Sequence, residues 1–309
     1  MGIAIKTTEL YLRDRQRRML CDGLFLQAAP GTLTAIMGPC GCGKSVFLRL
    51  LTGYERPTQG RIFFGSSELW ANYAHVRDII GYVPQAEVMI PELLVAESLD
   101  YRLRFRFSKR TVEERHQQIR DTCALLGLGN LDSLLAKRVG LPEWRGEYPS
   151  GGERRRINIA HEILSQPQVL FMDEPTSGLA SIEADALVKH IRELAHHQGI
   201  PVVMTIHSPS RDTFECFHDM MVMGMGGVMA YYGKREKAAE YFERTTPIAF
   251  QGDNPAEYIM RCVSNEPHAG REAALRLQQS RHRPGFEYLI QPWESAEIAP
   301  VLSTEALPQ

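Results

Sequence analysis

The chain has 309 residues, with 35 Lys and Arg against 37 Asp and Glu and a formal net charge of −2. Apolar residues make up 44% and charged residues 23%, the proportions of a folded globular protein and not of a disordered one. The near-neutral balance excludes a general nucleic-acid binder, and no nucleic-acid partner is expected. The length suffices for one large domain or two small ones. The most apolar stretch, 220–232, is broken by Gly224, Gly226 and Gly227. It is shorter than the roughly 18–20 residues that a bilayer demands, so no spanning helix is predicted. Glu9 and Asp14 rule out a secretory signal at the N-terminus, and Lys6 stands where a myristoylation signal needs Ser or Thr. Six cysteines, at 21, 40, 42, 123, 216 and 262, suggest no disulfide framework, and a reducing compartment is expected.

In chain order, residues 3–12 and 24–28 alternate weakly, as strands do, with a basic turn over 13–18. A short β-type run over 33–37 leads into a Gly-rich loop and then a helical pattern at 46–51. Strands are predicted over 61–64 and 79–83. From 87 to 150 the periodicity turns helical, as if a helical segment were inserted. A helix follows Ser150, then a buried strand at 169–172, a helix over 182–197 and a strand over 200–206. Residues 220–231 read as a hairpin around Gly226-Gly227. Strands alternating with helices predict a mainly parallel α/β sheet. Prolines punctuate residues 246–309, which read as a C-terminal extension, partly helical at 255–263 and 271–281 and disordered at its end.

Gly38-Pro39-Cys40-Gly41-Cys42-Gly43-Lys44-Ser45 fits the phosphate-loop pattern, after a strand and before a helix. Its glycines let backbone N–H groups turn in around phosphates, and the helix adds its positive end. Lys44 is placed to reach the β- and γ-phosphates, and the Ser45 hydroxyl to ligate Mg²⁺. Cys40 and Cys42, with no second thiol pair, read as loop packing and not as a zinc site, with thiols exposed to alkylating reagents. The apolar run 169–172 ends in Asp173-Glu174. In a phosphate-loop enzyme the first acid holds the metal shell and the second polarises the attacking water.

Further elements stand in a fixed order: Gln85 after a strand, Ser150-Gly151-Gly152-Glu153 opening a basic helix, and His207 ending the 202–206 run. Together with the phosphate loop and the acidic pair they resemble the ATP-binding-cassette (ABC) family. The resemblance spans about 3–245, and in that family's terms the elements look like Walker A, the Q-loop, the signature, Walker B and the switch histidine. It implies an α/β fold: a P-loop NTPase core with an antiparallel β-subdomain and a helical insertion at about 87–150. Gly81-Tyr82-Val83-Pro84-Gln85, Arg145-Gly146, Glu153 where most cassettes have Gln, Tyr231-Tyr232-Gly233 and Asn254-Pro255-Ala256-Glu257-Tyr258 look like the G subfamily of pigment, sterol and multidrug exporters. Those exporters carry cassette and membrane domain on one chain, so separate membrane subunits are expected here.

The resemblance implies ATP and Mg²⁺ bound at 38–45, with Ser45, Gln85 and Asp173 at the metal. It gives catalytic roles to Lys44, Gln85, Glu174 and His207. Ser150 to Glu153 would face the nucleotide of a second cassette subunit in a head-to-tail dimer. Tyr11 is the candidate for stacking on adenine. The cassette would work at the cytoplasmic face of a membrane, powering export of a lipid or other hydrophobic substrate. Ala180 departs from the family, which has Asp there, and leaves open a heterodimer with unequal sites. The alternatives are a soluble ABC ATPase acting on DNA or ribosomes, and a regulatory cassette with impaired turnover. Met220, Met221, Met223, Met225 and Met229 read as core filler, and His196-His197 as a solvated helix end. The basic run Arg102, Arg104, Arg106, Lys109 and Arg110 reads as a solvated face, or as one meeting anionic headgroups or a membrane subunit.

Overall fold

A computed structural model describes residues 2–264 except 142, 143, 145 and 253. The expected helix at 271–281, the disordered end and Arg145 therefore lie outside the described residues. The chain opens with β1 (Ile5–Thr7), β2 (Leu10–Arg13), β3 (Met19–Leu24), β4 (Gln27–Ala28) and β5 (Leu33–Met37), which leads into α1 (Lys44–Leu51). β6 (Ile62–Phe64), β7 (Ser67–Glu68), α2 (Tyr73–Ile79) and β8 (Ile80–Val83) follow. Next come α3 (Val95–Arg106), α4 (Val112–Leu125), α5 (Leu131–Leu135), α6 (Gly151–Leu164), β9 (Val169–Met172) and α7 (Ser181–Gln198). The described chain closes with β10 (Val202–Thr205), α8 (Arg211–Glu215), β11 (Asp219–Gly224), β12 (Val228–Lys234), α9 (Arg235–Thr245) and α10 (Pro255–Ser264).

Eight strands form the central sheet in the order β2-β3-β12-β11-β5-β10-β9-β8. The run β11-β5-β10-β9-β8 is parallel throughout. A second, antiparallel sheet has the order β4-β1-β6-β7. The P-loop core, the antiparallel β-subdomain and the helical insertion expected from the resemblance are all present. Among the described residues no helix is long and apolar enough to cross a membrane.

Strand side chains alternate between two cores. Leu33, Ala35 and Met37 of β5 join the core under α3, α4, α6 and α7, while Ile36 joins the core shared with α1, α2 and the second sheet. β9 repeats this with Leu170 and Met172 against Val169 and Phe171, and β10 with Val202 and Met204 against Val203. A strand covered on both faces reads as an unbroken apolar run, which is why 33–37, 169–172 and 202–205 stand out in the sequence. The methionines behave likewise: Met220 fills one core, Met221, Met223 and Met229 the other. Met225 is exposed at the tip of the β11–β12 hairpin, where Gly226 and Gly227 take φ of +84° and +73°.

Some expectations needed correction. The alternating segment 3–12 is two strands, with β1 in the second sheet and β2 in the central one. Thr8 makes the break, its N–H donating to the Arg61 carbonyl and its hydroxyl accepting from the Arg61 N–H. β3 fills 19–24, which the sequence left between a turn and a later strand; Asp22 and Gly23 masked it. The short β7, α2 and α8 were not anticipated. α10 packs on α8 and α9 and buries Tyr258, Ile259 and Cys262, carrying the core past residue 246.

In the basic run at the end of α3, Arg104, Arg106 and Lys109 are exposed, as a solvated face would be, while Arg102 and Arg110 are half-buried. Arg102 donates to the His161 carbonyl, the Ser165 hydroxyl and Glu162 (3.1, 2.6 and 2.8 Å). Arg106 donates to the Asp78 carbonyl, Arg110 bonds Gln118, and Arg104 pairs with Asp100. Arg102 and Arg106 thus tie the helical insertion to α6 and α2. Beneath Arg102, His161 Nε2 lies 3.0 Å from the Ser98 hydroxyl. Burial and the Arg102 charge push this imidazole down to about 4. The unfolded chain therefore takes up the proton first. The stabilisation is whole above about pH 6.5 and is lost as pH falls toward 4, about 3 kcal/mol in all. Urea unfolding of His161→Gln at pH 7 and pH 4.5 should show a shallower acid loss than the parent chain; equal slopes would reject this origin.

Candidate active site

Four neighbouring parallel strands end at one edge of the central sheet. Their register pairs Val83 with Met172, Met172 with Met204, and Thr205 with Ile36. Gln85 and His207 stand two residues beyond Val83 and Thr205, and Asp173 directly follows Met172. Gly38 stands two beyond Ile36. The sheet alone thus brings the loop 38–45, Gln85, Asp173-Glu174 and His207 side by side.

The loop 38–45 wraps back on itself. Lys44 is buried and its Nζ donates to the carbonyls of Gly38 and Pro39 (2.9 and 3.3 Å). Gly38 takes φ +154°, and an added Cβ there would lie 2.5 Å from the Met223 carbonyl oxygen and 2.8 Å from Cys42 Sγ. Gly43 (φ +107°) caps α1 with no side chain, and the first turn of α1 has no acidic residue. Its N–H groups are left to an anion. Ser45 is half-buried on that turn. Uncapped N–H groups, an ammonium held on loop carbonyls, a serine hydroxyl and the Asp173 carboxylate are the donor set for a nucleotide phosphate chain with a hard, oxygen-seeking cation.

The acidic pair is fixed by its neighbours. Asp173 is buried, and its Oδ1 accepts from the Thr205 hydroxyl (2.7 Å). Glu174 takes φ +46°, an uncommon conformation for a non-glycine residue. Its N–H donates to the Thr205 Oγ1 (2.8 Å) and its carbonyl accepts from Arg155 (2.7 Å). Its carboxylate accepts from the Gln85 side-chain amide (3.0 Å). On the other side, His207 Nε2 lies 3.1 Å from the exposed Cys40 Sγ.

Arg155 was missed as a structural residue because it sits in a run of three arginines. It is buried, and its five N–H groups meet the carbonyls of Pro84, Gln85, Asp173, Glu174 and Pro175 (3.3, 2.8, 3.1, 2.7 and 3.0 Å). Burial pushes its guanidinium down, while Glu87, Asp173 and Glu174 push it back up. Arg154 pairs with Glu87 and donates to the Val139 and Gly140 carbonyls. Thr205, hidden in an apolar run, carried no sequence signal either.

Ser150 and Glu153 form a reciprocal cap on α6: the Ser150 hydroxyl accepts from the Glu153 N–H (3.2 Å), and the Glu153 carboxylate from the Ser150 N–H (2.7 Å). An added Cβ on Gly152 would lie 3.1 Å from Glu183 of α7. Among the described residues no hydrogen bond joins Ser150, Gly151, Gly152 or Glu153 to residues 38–45. Tyr11 lies on β2 against Gly23, its hydroxyl donating to Glu9 (2.9 Å). It is the Leu20 carbonyl that stands 3.0 Å from an added Cβ on Gly43. Cys42 is buried and burial raises its thiol, with the Lys44 charge opposing, so only Cys40 keeps the expected openness to alkylation.

Residues 21–177 match the family model for the ABC transporter. The chain belongs to the ABC transporter family. It is 35% identical over 252 residues to ABC transporter G family member 22 of Arabidopsis thaliana, covering 81% of this chain and 32% of that protein. It is 33% identical to the ABC-type transporter claG of Penicillium crustosum, over 76% of this chain and 30% of the relative. With ABC transporter G family member 22 of Dictyostelium discoideum it shares 31% identity over 86% of this chain and 43% of the relative. The chain thus spans less than half the length of these curated relatives, and the matched part is the ATP-binding domain of the ABC transporter.

Two measurements test this geometry. Arg155→Leu should lower the unfolding free energy by about 3 kcal/mol or more, because it strands buried carbonyls; a change under about 1 kcal/mol in urea melts would reject the anchoring role. Iodoacetamide should label the folded chain mainly at Cys40, as mapped by peptide mass spectrometry, and saturating ATP with Mg²⁺ should slow that labelling several-fold. Labelling of Cys42 at the same rate would contradict the burial described.

Proposed function

We propose that the chain is the ATP-hydrolysing part of a G-type ABC transporter. It closes head to tail on a second cassette around two ATPs and drives export of a lipid or other hydrophobic substrate at the cytoplasmic face of a membrane. The observation that carries this reading is the convergence of Lys44, Gln85, Asp173, Glu174 and His207 at one sheet edge, in a chain related to G-family transporters. Cassette 1–245, helical insertion 87–150 and extension 246–309 are the proposed units, the extension beginning with the docked α10.

Each residue has a role. Lys44 and the N–H groups of 38–45 bind the phosphate chain, and Lys44 leaves its loop carbonyls to do so. Ser45, Asp173 and Gln85 hold Mg²⁺, which supplies charge neutralisation on the phosphates. Glu174 accepts a proton from the attacking water, Gln85 holding only its Oε2. His207 leaves Cys40 to position the γ-phosphate. Ser150, Gly151 and Gly152 present the N-terminus of α6 to the partner's nucleotide, with Glu153 holding that turn in shape. Tyr11 remains the proposed adenine contact. Ala180, whose N–H reaches Glu183 Oε2 (3.4 Å), sits where the two cassettes would meet.

Glu174→Gln should lower steady-state ATP hydrolysis at least a hundredfold while leaving ATP binding within about threefold, and should accumulate the ATP-bound dimer on size exclusion. Turnover that persists in this variant would remove Glu174 from the reaction.

A further inference from the structure

The far edge of the central sheet carries a second feature that the nucleotide site does not use. β5 runs from Leu33 to the phosphate loop. At its starting end, the Leu33 N–H donates to His218 Nδ1 (3.0 Å). There a cleft of about 820 Å³ opens between the last turns of α7, the short α8 and the start of α9. Lys189, Arg192, His196, His197, His218 and Arg235 all line it. Its volume lies in the range of small-ligand sites.

Three cations, Lys189, Arg192 and Arg235, face as many carboxylates there, and Arg192 also meets the Cys216 thiol; with two of the acids engaged by Lys189 and Arg211, Arg192 and Arg235 stand against Glu193 alone. Three carboxylates share the cleft, Glu193, Asp212 and Glu215. Asp212 is paired with Lys189 (3.5 Å), and Glu215 with Arg211 (3.5 Å). Among the described residues neither Arg192 nor Arg235 has an ion pair with a carboxylate. Arg235 is held in position: its Nε donates to the Phe217 carbonyl (3.2 Å) and its guanidinium lies over the Phe214 ring, leaving its terminal nitrogens to a ligand. His218 accepts at Nδ1, so its neutral ring carries the proton on Nε2 as a further donor. Burial and then the Arg192 charge hold this imidazole below its ordinary range, with Asp219 and the Leu33 N–H opposing. The carbonyls of Ala195 and His196 at the end of α7 are already taken by the N–H groups of Ile200 and Gly199, so the helix end offers side chains and not bare acceptors.

We propose that this cleft is a binding site for a phosphate-bearing anion, gripped by the guanidinium groups of Arg192 and Arg235 with the imidazoles of His196, His197 and His218 completing the donor set. Planar guanidinium forks match phosphate oxygens two at a time. The ligand is either a soluble polyphosphorylated metabolite or a phosphorylated lipid headgroup, which share this chemistry.

The test titrates the full chain, with its nucleotide site saturated by ADP and Mg²⁺, in two arms. One arm uses inositol hexakisphosphate in a calorimeter. The other uses phosphatidylcholine vesicles with and without phosphatidylinositol 4,5-bisphosphate in a sedimentation assay. Binding in either arm is expected, weakened at least tenfold by Arg192→Glu and by His197→Glu, both at exposed positions, and unchanged by Arg104→Glu on α3. Binding in the calorimeter alone assigns a soluble ligand, and phosphoinositide-dependent sedimentation alone a headgroup. Absence of binding in both arms, or equal binding by the parent chain and Arg192→Glu, overturns the proposal. Neither outcome touches the hydrolysis reading, which rests on the opposite sheet edge.

Discussion

The guanidinium of Arg155 is the interaction on which the arrangement of the site depends. Where β8 and β9 leave the sheet, their following loops lose the ladder partners that satisfied their carbonyls. Five such carbonyls, from 84–85 and 173–175, turn to one side chain on α6. Arginine suits this task, having five donors in a rigid plane and a charge that persists in a buried setting. Desolvating that charge is costly, and the five carbonyl dipoles together with Glu87, Asp173 and Glu174 offset it. The consequence is mechanical. The loop bearing Gln85, the loop bearing Glu174 and the helix opened by Ser150 share one anchor, so a displacement of α6 would strain both loops.

Thr205 complements this from the other side. One hydroxyl donates to the Asp173 carboxylate and accepts from the Glu174 N–H, so the two acids are set by a single oxygen. Between Arg155 on the carbonyl and Thr205 on the N–H, the positive φ of Glu174 is held by its neighbours at both ends. Serine would supply the same hydroxyl at this point, and valine would keep the β-branched shape without it. The pairing of Gln85 with Glu174 and of Cys40 with His207 shows the polar groups of the site satisfying one another. On the proposed function, those partnerships would be exchanged for contacts to a nucleotide.

The parts of this arrangement that the sequence made legible are those in which chemistry restricts the residue type. A phosphate loop needs glycines at fixed places, and Gly38 has no room for a Cβ. Strands buried on both faces need unbroken apolar runs, so β5, β9 and β10 could be read almost to their ends. Arg155 and Thr205 escaped because their types do not disclose their roles. In 154–156 three identical side chains differ only in helical phase, and burial selects two of them. Thr205 looks like one more β-former. The segment 3–12 misled for a related reason: alternation reports burial on one face but not which sheet supplies the partner, and a single threonine pair with Arg61 moved the chain from one sheet to the other. The basic run at the end of α3 is largely exposed, but composition does not show that Arg102 and Arg106 also reach acceptors on other helices.

The two ends of the sheet are joined by more than strands. α7 begins directly after the Glu174 loop and carries His196 and His197 in its last turn; α8 begins four residues beyond His207 and carries Asp212 and Glu215. Near their starts the two helices are tied together, since Asp185 of α7 accepts from both the Ser210 cap and the Thr213 hydroxyl of α8. The shared acid fixes α7 and α8 to each other, with the near end of the pair beside Asp173-Glu174 and His207. Segments 174–180 and 207–210 are thus connected to the walls of the cleft through α7 and α8. An anion fixed between Arg192 and Arg235 would bridge α7 to α9 and resist a relative shift of these two helices.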